Sequence, residues 1–327
     1  MLRRAACRVP SSSANLGPGY DVFSLALAAP SLEVEVELTD STTDVEVEPM
    51  GRYGDRVNRD PGSNSAARAF IELRRRLKRQ TGAKIKILAN IPVGKGLGSS
   101  AAEAVGAVLS ASKALGFELR REEVVRLAAS VEPGGHADNA AASALGGFNV
   151  ILQEESGPEF LNFRAPEALG LVVLVPDVEK GSTEIARAHV PKQVTMSEHV
   201  EVTSRIAAAC VSMLSGDLRT LLKAVSIDPI VERSRAEAGV YGNCSWEELK
   251  EEKLKLLRSY GVALTISGAG PSRLLLYDRA NSQSVEEGKR PIDLAVNETV
   301  ASLERRGHKV VEVYWTGPDN SGAVLKS

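Results

Sequence analysis

One junction between a predicted strand and a predicted helix limits the folds open to this chain. Residues 84–91 alternate apolar and charged side chains, which is the pattern of a half-buried strand. Residues 101–115 are rich in alanine and predict a helix. Between them, residues 92–100 (PVGKGLGSS) hold three glycines and two serines. Glycines let backbone N–H groups approach an anion, and a helix N-terminus attracts negative charge. The junction therefore predicts a cradle for a phosphate group.

The same loop departs from two common phosphate-binding motifs. A Walker A loop needs the pattern G-x-x-x-x-G-K-[ST], but Lys95 lies between two glycines with no Ser or Thr after it. The dinucleotide fingerprint G-x-G-x-x-G fails because Ser99 stands where its third glycine would be. These departures disfavour a Rossmann oxidoreductase. From the loop alone, a tight strand–helix connection that binds nothing stays open as an alternative.

Two further segments combine small residues with polar groups. Residues 10–21 (PSSSANLGPGYD) predict a loop that presents the amide of Asn15 and the carboxylate of Asp21. Residues 267–272 (SGAGPS) lie between two predicted strands, where their backbone N–H groups offer a second anion nest. The chain thus has three candidate loops for binding small, charged molecules.

The periodicity along the chain predicts an α+β protein of two domains, divided into residues 1–165 and 166–327. In the first domain, residues 33–38 and 44–48 alternate like half-buried antiparallel strands, and a helix is predicted after residue 64. The predicted elements of the second domain follow approximately the order β-α-β-β-α-β. Its predicted strands are 169–175, 262–267, 273–277 and 309–315, and its predicted helices are 202–214, 246–260 and 292–306.

Composition excludes several classes of protein. The chain has 327 residues with 40 Lys+Arg against 42 Asp+Glu, a formal net charge of -2, so it offers no broad attraction for nucleic acid. Its densest apolar run, residues 171–175, is far shorter than the ~20 residues that a membrane span needs. Three scattered cysteines predict neither a disulfide framework nor a zinc cluster. A cytoplasmic protein without nucleic-acid or membrane partners is expected.

The three loops, in this order, resemble the three motifs of the GHMP small-molecule kinases. Residues 10–21, GGHADN at 134–139 and DNSGA at 319–323 resemble the homoserine kinases of that superfamily in particular. The resemblance runs from Val9 to Leu325. It implies a two-domain GHMP kinase fold, with an N-terminal ATP-binding domain like ribosomal protein S5 domain 2 and a C-terminal ferredoxin-like domain.

The activity implied by this resemblance is ATP-dependent phosphorylation of L-homoserine to O-phospho-L-homoserine in threonine biosynthesis. Two alternatives remain: another GHMP kinase, such as a mevalonate or shikimate kinase, and a catalytically inactive binding protein of the same fold. Mevalonate and shikimate lack an ammonium group, so an acidic residue together with two arginines favours homoserine. The resemblance also allows a homodimer.

The resemblance carries roles onto individual residues. Ser100 and Glu132 would hold Mg²⁺, Ser100 and Asp138 would act in catalysis, and His136 would lie beside the site as a structural hydrogen-bonding group. Glu103 receives no role. The residues implied for ATP are Asn64, Pro92, Val93, Gly94, Lys95, Gly96, Leu97, Gly98, Ser99, Ser100, Ala101 and Ala102.

For homoserine, the resemblance implies one acidic residue, two amides, a threonine and two arginines. Asp21 can pair with the α-ammonium group, and the guanidinium groups of Arg187 and Arg235 match the α-carboxylate. The full set implied for this substrate is Asn15, Asp21, Asn139, Thr183, Arg187 and Arg235.

Overall fold

A computed structural model of the chain describes residues 3–178, 183–242, 244–280 and 289–326. Its described residues form eleven strands and ten helices, besides two short 3-10 turns. In chain order these are β1 (Arg4–Asn15), β2 (Gly19–Thr39), β3 (Val45–Met50), α1 (Ser65–Arg76), β4 (Gly82–Leu88), α2 (Ser99–Leu115), α3 (Arg121–Ala129), α4 (Asp138–Leu145), β5 (Phe148–Leu152), β6 (Glu159–Phe163), β7 (Leu169–Pro176), α5 (Thr183–Ala188), α6 (Met196–Ser215), α7 (Leu218–Val225), α8 (Val231–Glu237), α9 (Trp246–Tyr260), β8 (Ala263–Ile266), β9 (Arg273–Asp278), α10 (Pro291–Arg305), β10 (Val310–Thr316) and β11 (Val324–Leu325).

The chain divides into two compact units. Unit 1 comprises Met1–Ser13, Ser24–Arg164 and Asp319–Ser327, and unit 2 comprises Ala14–Phe23 and Ala165–Pro318. The proposed linear division into residues 1–165 and 166–327 assigns two segments differently, because residues 14–23 lie in unit 2 and residues 319–327 in unit 1. That division stays a proposal.

Unit 1 contains a mixed seven-stranded sheet in the order β11-β1-β2-β4-β3, with β5 pairing with β2 and β6. Strands β2 and β4 are antiparallel, as the alternation predicts for residues 33–38. Their valines and isoleucines are fully buried on one face, whereas charged residues pair across the other, with Lys86 Nζ 3.3 Å from Glu35 Oε1. The alternating sequence thus builds one apolar and one charged face.

Strand β3 corrects one expectation. Residues 44–48 were expected to form an antiparallel strand, but the strand found there, β3, pairs in parallel with β4. The reason is topological: helix α1 lies between these strands in the chain, and a crossover helix returns the chain in the same direction. Strand β4 therefore lies between β2 and β3.

Helix α2 is almost entirely buried, which its small side chains make possible. At Gly106, an added Cβ atom would lie 2.6 Å from a side-chain carbon of Val34 on β2. Only glycine allows this helix to lie so close to the sheet. Burial along the whole of α2 therefore fixes the position of its N-terminus within unit 1. The glycine-serine loop leads directly into that N-terminus.

Residues 10–21 differ from the predicted loop. Residues up to Asn15 continue β1, and Gly19 already begins β2, so only a three-residue turn separates two strands. Ser11, Ser12 and Ser13 are fully buried. Small hydroxyl side chains fit inside a sheet, and for this reason their turn-like composition was misleading.

Unit 2 contains a four-stranded antiparallel sheet in the order β10-β7-β9-β8. Its central strand β7 is buried along its whole length. Helices α9 and α10 pack on one face, where Leu256 and Ile292 join Val172 and Leu275 in an apolar core. The order of these strands and helices is the predicted β-α-β-β-α-β succession, within one or two residues at most boundaries.

The elements without a sequence prediction are mostly short. They include the small-residue helix α4, the hairpin of β5 and β6, and helices α5, α7 and α8. Among the helices in the described part of the chain, none is both long and apolar enough to cross a membrane.

Candidate active site

In unit 1, the glycine-serine loop joins β4 to the N-terminus of α2. Gly94, Gly96 and Gly98 have φ angles of +72°, +77° and +69°, a region that other residues rarely adopt. The N-cap of α2 is Gly98, which has no side chain to compete with an anion for the first N–H groups of the helix. This geometry suits a phosphate cradle.

Gly98 is held in an especially narrow space. An added Cβ atom would lie 2.1 Å from Ser12 Oγ and 3.0 Å from Asn139 Oδ1. The Ser12 N–H donates to the carbonyl oxygen of Leu97 at 3.1 Å. The loop is thus tied to β1, and the identity of residue 98 is set by protein contacts as well as by any ligand.

The side-chain oxygen and nitrogen of Asn64 both make hydrogen bonds within unit 1. Its Oδ1 accepts the N–H of Ala67 and caps helix α1, while its Nδ2 donates to the carbonyl of Asn58 at 3.0 Å and to Glu103 Oε2 at 3.3 Å. Asn64 is 2% exposed. Such a cap contributes about 1 kcal/mol to helix stability. The nucleotide contact expected of Asn64 stays a prediction.

Glu103 is a buried carboxyl group near the start of α2. Ser99 Oγ donates to Glu103 Oε1 at 3.3 Å. Burial, and secondarily the charge of Glu132, raise the pKa of Glu103 to about 8. Glu103 is therefore largely protonated at neutral pH, which removes the negative charge that a phosphate site would otherwise meet.

The two residues implied for Mg²⁺ lie together. Ser100 Oγ donates to Glu132 Oε1 at 2.5 Å, and Ser65 Oγ lies 2.6 Å from Ser100 Oγ. Burial is the main cause that raises the pKa of Glu132. Among the described residues, no group of three or more His, Cys, Asp or Glu side chains lies together as a metal site. Hydroxyl and carboxylate oxygens nevertheless fit Mg²⁺, which keeps several waters and often shares phosphate oxygens.

Asp138 and Asn139 begin helix α4. Asp138 Oδ1 accepts the Asn139 N–H at 2.7 Å and the Asn139 Nδ2–H at 3.2 Å. Asn139 Oδ1 accepts from Ser12 Oγ at 2.9 Å. Ser12 therefore connects the Asp138–Asn139 pair to Gly98 within unit 1. His136 precedes them and is half-buried.

In unit 2, Asp21, Arg187 and Arg235 gather around Tyr20. The guanidinium of Arg187 donates to both oxygens of Asp21, at 2.7 and 3.1 Å, and to Tyr20 Oη at 2.7 Å. The Cζ atoms of Arg187 and Arg235 lie 5.4 and 5.3 Å from the centre of the Tyr20 ring. This arrangement of one acid and two guanidinium groups matches a molecule that carries both an ammonium and a carboxylate.

Asn15 supports this cluster through its backbone and side chain. Its Oδ1 accepts the Asp21 N–H at 3.2 Å, and its Nδ2 donates to the carbonyl of Gly268 at 2.9 Å. Asn15 and Asp21 both have positive φ angles, +73° and +56°. The side chain of Asn15 thus holds a strained turn in place, which is a structural task beside the expected contact with substrate.

In the loop 267–272, three N–H groups of the expected anion nest are already used within the protein. The N–H groups of Ser267, Gly268 and Gly270 donate to the carbonyls of Ser272, Ala14 and Ser267, at 3.0, 3.1 and 2.8 Å. The prediction is wrong for these three groups because the loop uses them to fix itself and residue 14.

Several residues that contact the predicted site residues were absent from the sequence prediction. Tyr20 and Ser12 lie inside the segment 10–21 but had no assigned role, and Ser65 gave no signal at all. Thr183 begins α5, and its side chain lies outside the described residues. Lys95 is half-buried in the loop.

Comparison with known proteins gives consistent results. Residues 64–147 match the model of the GHMP kinases N terminal domain. The chain is 34% identical over 283 residues, 86% of each chain, to a homoserine kinase of Caldanaerobacter subterraneus subsp. tengcongensis. It is 35% identical over 312 residues to one of Corynebacterium efficiens, covering 91% of this chain and 95% of that one. The crystal structure of a homoserine kinase from Cytophaga hutchinsonii has the same fold, with a TM-score of 0.83, 23% identity, and coverage of 100% of this chain and 98% of that one.

Proposed function

We infer the activity from one premise, that the chain belongs to the homoserine kinase family within the GHMP kinases. It transfers a phosphoryl group from ATP to the hydroxyl of L-homoserine and yields O-phospho-L-homoserine, a step of threonine biosynthesis. The γ-phosphoryl group moves and ADP leaves, so the enzyme has mainly to align the two substrates and neutralise charge.

The observation that best supports this substrate is the cluster of Asp21, Arg187 and Arg235 around Tyr20. Asp21 and Arg187 form an ion pair. We propose that homoserine exchanges with this pair, so that its ammonium group binds Asp21 and its carboxylate binds the two arginines. Opposite charges then stay matched before and after binding, which limits the cost of desolvation.

For ATP, the proposal rests on the loop of residues 92–98 and the N-terminus of α2. Backbone N–H groups there can donate hydrogen bonds to the phosphate oxygens without adding a side-chain charge. Ser100 and Glu132 would hold Mg²⁺, which supplies positive charge to the phosphate oxygens when it is bound.

Asp138 is proposed to orient the hydroxyl of homoserine and to receive its proton late in the transfer. In a loose transition state the nucleophile gains little charge early, so alignment matters more than basicity. Asn139 holds the Asp138 carboxylate through two N–H groups, as described above, and so keeps it in one orientation.

The test is release of ADP from MgATP with L-homoserine, mevalonate, shikimate or galactose as acceptor. The proposal expects ADP with homoserine and none above background with the other three. Turnover of mevalonate or shikimate instead would identify another GHMP kinase. No ADP with any acceptor, from folded protein that binds ATP, would indicate an inactive binding protein. A cytoplasmic location and a homodimer stay predictions beside this proposal.

A further inference from the structure

Helix α8, which carries Arg235, is held by a carboxylate that the reaction does not use. Glu232 lies three residues before Arg235 and is 4% exposed. Its Oε1 accepts the N–H of Ile266 at 3.1 Å, and its Oε2 accepts from Lys253 Nζ. Lys253 is fully buried. One carboxylate thus joins α8 to the end of β8 and to α9.

A second carboxylate fixes the start of the same helix. Asp228 Oδ1 accepts the N–H groups of Ile230 and Val231, and its Oδ2 accepts that of Glu232, each at 3.0 Å. Because Glu232 is fixed through both its backbone and its side chain, α8 cannot rotate about its axis without breaking these hydrogen bonds.

The elements joined at Glu232 are those that carry the proposed homoserine contacts. Arg235 Nε donates to the carbonyl of Ala186 at 3.0 Å, which links α8 to α5 beside Arg187. Ile266 ends β8 and leads directly into the loop whose Gly268 carbonyl accepts from Asn15. Asn15 in turn holds Asp21. Contacts that start at the Glu232 carboxylate therefore lead both to Arg235, through α8, and to Asp21, through the 267–272 loop.

A buried ion pair is weak evidence for stability, since desolvation offsets much of the attraction. The contribution of the Glu232–Lys253 pair is therefore expected in the positions of the elements that it joins, and not in stability. We propose that Glu232, together with Lys253, is a positioning centre that sets Arg235 and the 267–272 loop for binding of homoserine. This inference rests on the proposed function, and it adds two residues that do not themselves touch substrate.

Two double variants separate positioning from stability. Glu232→Leu with Lys253→Met removes both charges and the acceptor for the Ile266 N–H. Glu232→Gln with Lys253→Met also removes both charges but keeps a carbonyl oxygen as that acceptor. A control, Glu252→Leu with Arg306→Met, removes another partly buried ion pair of unit 2, whose atoms lie 3.0 Å apart. KM and kcat for homoserine, KM for ATP and Tm are measured for each.

The leucine variant should raise KM for homoserine by about tenfold or more, as expected when binding groups lose their alignment, while KM for ATP stays within about twofold. The glutamine variant should restore KM to within about threefold of the unchanged protein, because the acceptor is kept. The control pair should leave KM for homoserine unchanged, whatever its effect on Tm.

Equal KM values in the leucine variant and the unchanged protein would overturn the inference, as would an equal rise in the control. If the leucine variant does not fold, Glu232→Asp is used, because the shorter side chain cannot reach both Ile266 and Lys253; an unchanged KM there overturns the inference too. Failure of the unchanged protein to use homoserine at all would instead overturn the proposed function.

Discussion

At the scale of single residues, the ring of Tyr20 supports both arginines of the proposed substrate cluster. Each guanidinium lies within 5.4 Å of the ring centre, the distance of a cation–π contact. The hydroxyl accepts a hydrogen bond from Arg187. Burial, and secondarily the charge of Asp21, raise the pKa of Tyr20, so the hydroxyl stays protonated. The ring and the hydroxyl thus make separable contributions.

Two substitutions of Tyr20 measure these contributions. Tyr20→Phe keeps the ring and should cost about 1 kcal/mol of homoserine binding, the usual net value of one hydrogen bond. Tyr20→Leu also removes both cation–π contacts and should cost about 1–2 kcal/mol more. The measurement is KM for homoserine at saturating ATP. The same KM in both variants would mean that the ring does not support the arginines.

The buried carboxyl of Glu103 predicts a pH dependence of stability. Its pKa is about 8 in the folded protein, against an ordinary value of 4.5 for a glutamate side chain. The folded state therefore favours the protonated form, and its stability falls as pH rises from the unfolded pKa to the folded one. Glu103→Gln is neutral throughout, so it should be more stable than the unchanged protein at high pH, by about 2–4 kcal/mol.

Urea unfolding at about pH 5.5 and about pH 8.5 measures this difference in the free energy of unfolding. Glu123→Gln is the control, because Glu123 is only half-buried and accepts hydrogen bonds from the backbone N–H and the guanidinium of Arg120, which lower its pKa. It stays ionised over the whole range and should give no change in slope. If the free energies of Glu103→Gln and the unchanged protein run parallel with pH, Glu103 is ionised at neutral pH.

At the scale of elements, the glycine-serine loop contains two glycines that have nearly the same φ angle but different surroundings. Gly94 faces open space, whereas a Cβ atom on Gly98 would meet Ser12 Oγ at 2.1 Å. Gly94→Ala should cost only the strain of a positive φ, about 1 kcal/mol of stability. Gly98→Ala should also displace Ser12 and Asn139 and weaken ATP binding by about tenfold or more.

Titration calorimetry with a non-hydrolysable ATP analogue checks this pair of variants, and thermal unfolding reports their stability. A comparable loss of affinity in both variants would show that the loop conformation alone governs nucleotide binding. Unchanged affinity in Gly98→Ala would place the phosphate site elsewhere.

The elements also show what the sequence could predict. Strong periodicity located residues 33–38 of β2, strand β4 and helix α9, because one face of each is buried and the other is solvated. The serines of β1 gave the opposite signal: their side chains are buried in a sheet, and composition alone cannot distinguish that from a turn. The parallel pairing of β3 was also hidden, since it depends on where α1 returns the chain.

The candidate site was predictable only in part, for a physical reason. Asp21 and Arg187 came from motif resemblance, and they lie 166 residues apart in sequence yet form an ion pair. The roles proposed for Tyr20 and Glu232 rest on their contacts with other residues, which the sequence alone does not reveal. Motif resemblance therefore implied the residues proposed to touch substrate, whereas the residues proposed to position them were identified from the coordinates.

At the scale of the whole molecule, the two substrates should stabilise the protein independently. A ligand present at about 100 times its Kd adds about 2.7 kcal/mol to the free energy of unfolding. Both homoserine and MgATP should therefore raise Tm by a few degrees. Arg187→Ala should abolish the shift caused by homoserine and keep that caused by MgATP.

Differential scanning fluorimetry measures both shifts. Arg205→Ala is the control, since Arg205 is a unit 2 arginine that forms an ion pair with Glu201, one turn away on α6, and donates to the carbonyl of Lys223 on α7. It should keep both shifts. A homoserine shift that survives in Arg187→Ala would remove this arginine from the substrate site.

The last segment of the chain closes the sheet of unit 1. Cys7 pairs with Leu325, Arg8 forms an ion pair with Asp319, and Arg121 donates to the carbonyl of Ala323. During translation, β11 leaves the ribosome only after residues 165–318 have been made. The apolar surface of unit 2 can therefore be buried while the sheet of unit 1 still lacks a strand. A nascent chain released at residue 318 would leave the edge of β1 exposed to aggregation, and chaperones would have to protect that edge until synthesis is finished.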